Sequence, residues 1–326
     1  MRYILGIDQG GSKTAAAVMN ENGILSGAGY AGGAYFPRQG VEAAASEMED
    51  AVGQALKQAG IGTDDIAETV AGITGVDFPG DDISIRNVLE KKIGKKVQIY
   101  NDCVIALYGG TLKGTGVIIC AGTGLNAAIC GRDGENFVFG DYLGRELQGG
   151  CAIANRGIRA VFDAALGIGS AEKLTKLFLE FSGADSVDRL LRMYMQDRDF
   201  QERLRFIVPD LIGLAISGDE ATDRLVQKFA EELSVYMIAG LRRVGLLDVP
   251  VDIVLAGNVL KGKENPLSGY LMQYINAAAP LSKMIYAKYE PVVGACIMGA
   301  LRLKCFSAEM EKGLAESAER LSLLRD

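Results

Sequence analysis

The sequence predicts an α/β protein built as two lobes, each with the element order βββαβαβα and the second interrupted by a helical insert. Three observations predict it. The order of elements in the first third of the chain recurs after residue 116. A glycine-turn hairpin opens each copy, at Gly10-Gly11 and at Gly122-Thr123-Gly124. Between them and the last elements, residues 171–246 read as helix alone, with amphipathic pieces such as 226–241.

The first copy begins with the β-branched run 3–7 and continues in a second strand at 15–18, which ends in the turn Asn20-Glu21-Asn22-Gly23. A third strand, 24–30, stops at Gly32-Gly33-Ala34-Tyr35-Phe36-Pro37. Residues 41–59 place Ala, Met, Val and Leu at helical spacing and end at Gly60. A strand at 69–74, a helix at 83–92, a short strand at 97–100 and a helix opening near Asp102 complete the set. In the second copy the strands are 117–120, 126–130 and one near Phe137, followed by a helix at 152–165. After the insert come strand 251–256, helix 266–278, strand 284–287 and helix 292–303. The expected domains are therefore 1–115, 116–305 with an insert at about 170–246, and a surface helix within 306–326 packed back on the first lobe.

The first hairpin carries the chemistry. A Walker-type loop must feed a helix whose N-terminus faces the phosphates, and here the glycines join strand to strand, with the G-x-x-x-x-G-K spacing missed by one residue. A hairpin binds phosphate differently: Gly10 and Gly11 allow backbone N–H groups to converge on an anion, and Ser12, Lys13 and Thr14 add donors. Asp8 would sit beside that anion, which requires a cation such as Mg²⁺ between them. An ordinary Gly-Gly hairpin is the alternative. Asp102, at a strand end, is either a helix N-cap or a general base for an acceptor hydroxyl. Gly257-Asn258 marks a strand-to-helix turn or a close approach to a nucleoside.

Composition excludes several classes. The balance of 34 basic against 41 acidic residues, net -7, speaks against a nucleic-acid partner. Histidine is absent, so His-based triads and the common zinc sites are ruled out and acid–base work falls to carboxylates, Lys, Tyr or Cys. The six cysteines form no C-x-x-C pair and read as reduced core residues of a cytoplasmic protein. No apolar run approaches the roughly 18 residues of a membrane span, and no signal peptide is recognisable.

The segments GIDQGGSKT, YNDC, GVIICAGTGLN, VFGDYLGRE, DIVLAGNV and EPVVGA, in that order, resemble the signatures of the sugar-kinase, Hsp70 and actin superfamily, and more closely the N-acetylglucosamine kinase and BadF/BadG/BcrA/BcrD-type ATPase group. The resemblance covers nearly the whole chain and implies two ribonuclease-H-like, actin-like ATPase lobes. By resemblance, Gly10, Gly11, Ser12, Lys13 and Thr14 contact β- and γ-phosphates of ATP, Asp8 lies near Mg²⁺, and Asp102 is catalytic. Gly122, Thr123 and Gly124 form the second phosphate hairpin, and Gly257 and Asn258 the adenosine segment. Sugar contacts fall near Asn126, Phe139 and Gly140.

Two departures leave the acceptor open. Where amino-sugar kinases read G-D-E-G-S, this chain has Gly144-Arg145-Glu146-Leu147-Gln148-Gly149-Gly150, and the early sugar-contacting Asn is missing from residues 32–36. Arg145 in that pocket would favour an acidic or phosphorylated acceptor, or pair with Glu146. The expected activity is an ATP-dependent phosphotransferase acting on a small sugar-like substrate such as N-acetylglucosamine or glucosamine, in a homodimer by resemblance. The alternatives are an ATPase activator with an iron–sulfur cluster near Cys120 and a nucleotide-binding regulator without an acceptor.

Overall fold

The computed structural model describes residues 2–122, 124–262 and 264–325. Its first half runs β1 (Tyr3–Gln9), β2 (Lys13–Asn20), β3 (Leu25–Gly32), α1 (Phe36–Gln39), α2 (Val41–Ala59), β4 (Ile66–Ile73), α3 (Asp82–Ile93), β5 (Gln98–Tyr100) and α4 (Asp102–Thr111). The second half begins with β6 (Gly116–Ala121), β7 (Leu125–Cys130), β8 (Asn136–Val138) and α5 (Gly149–Ala165). The insert follows as α6 (Glu172–Ser182), α7 (Val187–Gln196), α8 (Arg198–Arg203), α9 (Val208–Ile216) and α10 (Glu220–Arg243). Then come β9 (Val251–Ala256), α11 (Pro266–Ala278), β10 (Ser282–Tyr286), α12 (Pro291–Arg302) and α13 (Ala308–Arg320).

The two halves form separate five-stranded sheets, ordered β3-β2-β1-β4-β5 and β8-β7-β6-β9-β10. The same topology is thus used twice. In each, the hairpin strands are antiparallel and the remaining pairings parallel, as a strand–helix–strand crossover requires. The two sheets of mixed pairing with helices are the α/β architecture anticipated from the repeated order of elements.

Alternation along the strands assigns side chains to opposite faces of the first sheet. Leu5, Ile7, Ala16 and Val18 pack under α2 and α3, whereas Ile4, Ala15, Ala17 and Met19 pack under α12 and α13. Because both faces are covered, β1 and β2 are apolar almost throughout. The second sheet buries Val117, Ile119 and Ala121 against α5 and the insert, and turns Ile118 towards α4.

Two helices cross over between the sheets. Helix α4, from the first half, places Cys103, Val104, Ala106 and Leu107 on Ile118, Ala128 and Val254 of the second sheet. Helix α12, from the second half, lays Val292, Val293, Cys296 and Ile297 on the first sheet. The helices touch where Gly294 leaves room: a Cβ there would overlap the carbonyl oxygen of Ile105 in α4. Beyond α12, α13 rests on the first sheet, with Leu25 N–H donating to Ser317 Oγ at 3.0 Å and Met310 against Gly23.

The structure departs from the sequence reading in small ways. Residues 36–39 form a short helix, because Pro37 near its start presets φ without costing a needed N–H. The insert is five α-helices, broken at Gly183, at Asp197, at the tighter turn Leu204–Ile207 and at Gly218. Among the described residues no helix is long and apolar enough to cross a membrane.

Candidate active site

The β1–β2 hairpin ends in a tight turn closed by Gly10 N–H donating to Lys13 O at 2.9 Å. Facing it, the β6–β7 turn is closed by Gly122 N–H donating to Gly124 O at 2.9 Å. A cleft of about 540 Å³ lies between them, lined by Asp8, Gly10, Gly11, Ser12 and Lys13 from one side and by Gly124, Leu125, Asn126 and Gln148 from the other. Thr74, Asp102, Cys103 and Cys120 also line it. Thr123 lies outside the described residues.

Asp102 opens α4, and the cap belongs to its neighbour: Asn101 Oδ1 accepts Cys103 N–H at 2.9 Å. Asp102 is the first helical residue, beside Thr74, whose hydroxyl hydrogen-bonds its carboxyl. Burial raises its pKa from 3.8 to about 6, helped by Asp77 and opposed by hydrogen bonds from Cys103 N–H and Thr74. Asp8 is only 9% exposed, and burial lifts it to about 7. Asp102 and Glu290 push it in the same direction, while Lys13 and Arg325 oppose them. Asp8 and Asp102 share this cleft, and carboxylate oxygens are the donors that a hard divalent cation takes, but among the described residues no three acidic or cysteine side chains gather closely enough to make a ready-made metal site.

Asn101 connects the two sides. Its Nδ2 donates to Asp77 Oδ1 at 2.8 Å, and its Oδ1 accepts from Asn126 Nδ2 at 3.2 Å. Asn126 lies over Gly140, and Gln148 Nε2 donates to the carbonyls of Gly140 and Leu143 at 3.2 and 3.1 Å. Next to this network a depression of about 710 Å³ is lined by Tyr35, Phe36, Asp77, Phe78, Asp81 and Asp141 among others, with no lysine or arginine among the described residues that line it.

Two further hollows follow in series, the first sharing residues with the cleft and the second sharing Asn258 and Lys261 with the first. The first, of about 320 Å³, shares Lys13 and Arg325 with the cleft and is walled by Gly257 and Asn258. The other, about 490 Å³ and more apolar, runs from Gly122 and Asn258 to Phe206, Pro209 and Ile212 of the insert. Gly257 has φ +93°, and a Cβ there would overlap the Ala121 carbonyl, so the backbone passes close under the second hairpin.

Four sequence-predicted contacts are corrected. Phe139 is 5% exposed and its ring fills the second-lobe core against Phe137 and Gly240, with its N–H given to Ala127 O. Thr14 is fully buried, and its hydroxyl donates to Gly32 O at 2.7 Å, away from the cleft. Arg145 and Glu146 are exposed and line none of these cavities, because the turn that buries Leu147 directs both charged side chains to solvent. Thr74, Gln148, Glu290 and Arg325 were not singled out as site residues. Of these, Glu290 is the first residue of EPVVGA and Gln148 lies in the stretch that stands where amino-sugar kinases read G-D-E-G-S, whereas Thr74 and Arg325 carried no signal.

A model of the BadF/BadG/BcrA/BcrD ATPase family matches residues 5–299. The chain belongs to that family. The BadF/BadG-type chain is also similar to an N-acetylmuramic acid/N-acetylglucosamine kinase of Clostridium acetobutylicum, 24% identical across 91% of this chain and 98% of that protein. Glucosamine kinase GspK of Vibrio cholerae is 26% identical across 84% of this chain and 91% of the relative. In fold it is similar to the ROK hexokinase of Thermus thermophilus, at TM-score 0.55 and 18% identity, over 93% of this chain and 99% of that one. Two-lobed sugar kinases thus share its architecture.

Proposed function

We propose that this protein transfers the γ-phosphate of ATP to a hydroxyl of a neutral or amino sugar. The reading is carried by one observation: Asp102, Asp8 and the turns of both hairpins line a single cleft between the two sheets. Phosphoryl transfer asks a protein mainly to position the reactants and balance charge, and this cleft has the groups for both. N–H groups of the Gly10 to Lys13 turn and of the β6–β7 turn would hold the phosphates. The apolar hollow between Asn258 and Phe206 would take the base. Asp8 would hold Mg²⁺, which supplies charge neutralisation on the phosphates. Asp102 would take the acceptor proton on its carboxylate, oriented by the Thr74 hydroxyl.

The acceptor would lie beside Asn126 and Asp102, reaching into the depression lined by Asp77, Asp141, Tyr35 and Phe78. Carboxylates and amides suit sugar hydroxyls or a protonated amine, and aromatic edges suit a sugar ring; an acceptor with its own carboxylate would meet Asp77, Asp81 and Asp141 without a cation to pair with. Kinase names among the relatives support transfer over plain hydrolysis. The activator reading is less well supported: Cys103 and Cys120, Sγ to Sγ 3.5 Å, line the same cleft as Asp102 and the two hairpin turns, and the relatives are named as kinases.

Asp102→Asn is expected to lower turnover by about 10²-fold or more while ATP binding stays near the wild-type value. ADP release measured against amino sugars, neutral sugars and sugar acids, with an acceptor-free control, tests the whole reading. Unchanged turnover in Asp102→Asn removes the base, and release that ignores every acceptor makes the protein a plain ATPase.

A further inference from the structure

The segment after α13 returns to the cleft. Glu290 N–H donates to Leu323 O at 2.9 Å, Leu324 bridges Tyr289 in antiparallel fashion, and Arg325 N–H donates to Lys288 O at 2.9 Å. Leu323, 1% exposed, anchors the strand-like segment in the core beneath α13. This tether fixes Arg325 at the junction of two hollows, one containing Asp8 and the first hairpin, the other containing Gly257 and Asn258.

At that junction a single carboxylate serves two cations. Glu290 Oε2 lies 3.3 Å from Lys13 Nζ, and its Oε1 lies 3.7 Å from Arg325 Nε. The longer pair is beyond good hydrogen-bonding distance, and the Lys13 side chain is 62% exposed, so each contact is weak and exchangeable. A phosphate brings more charge and several oxygens, and a guanidinium binds such a group through two parallel N–H donors.

We propose that Arg325 is a phosphate ligand of the nucleotide, and that Glu290 holds Arg325 and Lys13 in place until the phosphates displace its carboxylate. The proposal rests on the ATP reading of the cleft. Arg325 therefore acts on binding and charge, with Asp102 left to act on the acceptor.

Two substitutions should shift affinity in opposite directions. Arg325→Gln should raise the Kd of MgATP and MgADP about tenfold, with adenosine affinity unchanged and Arg325→Lys recovering part of the loss. Glu290→Gln removes the internal competitor and should lower the Kd of both nucleotides. Equilibrium binding of the full chain to MgATP, MgADP and adenosine reads all three variants. Wild-type MgATP affinity in Arg325→Gln, an equal loss of adenosine, or an unchanged or raised MgATP Kd in Glu290→Gln overturns the proposal while the ATP reading stands. A wild-type chain that binds no MgATP overturns both.

Discussion

Asp8 and Asp102 sit where burial opposes their charge, and this sets how the protein should respond to pH. A carboxyl whose folded pKa lies above its unfolded 3.8 holds its proton more tightly in the folded state. For Asp8 the effect on stability is absent below 3.8, grows as a penalty between 3.8 and about 7, and is constant above that. Asp8→Asn should therefore raise the apparent Tm at pH 8 by a few degrees and leave it unchanged at pH 3.5, in thermal scans at the two pH values. No difference at pH 8 would show that the folded protein already balances this charge. The proposed role of Asp102 gives activity the opposite pH dependence: a base of pKa about 6 would have to lose its proton to work, so turnover at saturating nucleotide should rise as pH passes 6. The strand-end carboxylates and the glycine turns were legible in the sequence, because each stands at a sharp change in periodicity. Thr74, Gln148 and Arg325 were not. They reach the cleft only through strand pairing, an amide network and a returning tail, all of them tertiary facts. Phe139 was misassigned because an aromatic residue within a signature segment suggests a contact, whereas the second-lobe core takes the ring.

At the scale of elements, the repeated order of strands and helices was legible because the strands are short, apolar and separated by Gly and Asn turns. The partners of α4 and α12 were not, since an apolar helix face does not name the sheet that it covers. The contact between these helices makes a strong prediction. Gly294→Ala would force a methyl group into the Ile105 carbonyl, and overpacking of this kind should cost about 2 kcal/mol, read as a lower urea midpoint. A midpoint equal to wild type would mean that the helices can separate without loss. The same replacement at Gly213, which faces open space on α9, should be neutral or slightly stabilising.

For the whole molecule, the cleft lies between two sheets joined by the α4–β6 connection and by the segment before α12. Closure over nucleotide and acceptor would exclude water and strengthen every contact to the phosphates. Small-angle scattering should record a smaller radius of gyration with a non-hydrolysable MgATP analogue plus acceptor than with neither; an unchanged radius would show that the site works without closing. The exchange of α4 and α12 between the sheets has one more consequence. Neither half carries its own full covering, so a chain divided between residues 115 and 116 should yield two pieces that aggregate when produced alone. Mixed during synthesis, the pieces should rescue one another, each giving its counterpart the missing lid of apolar side chains.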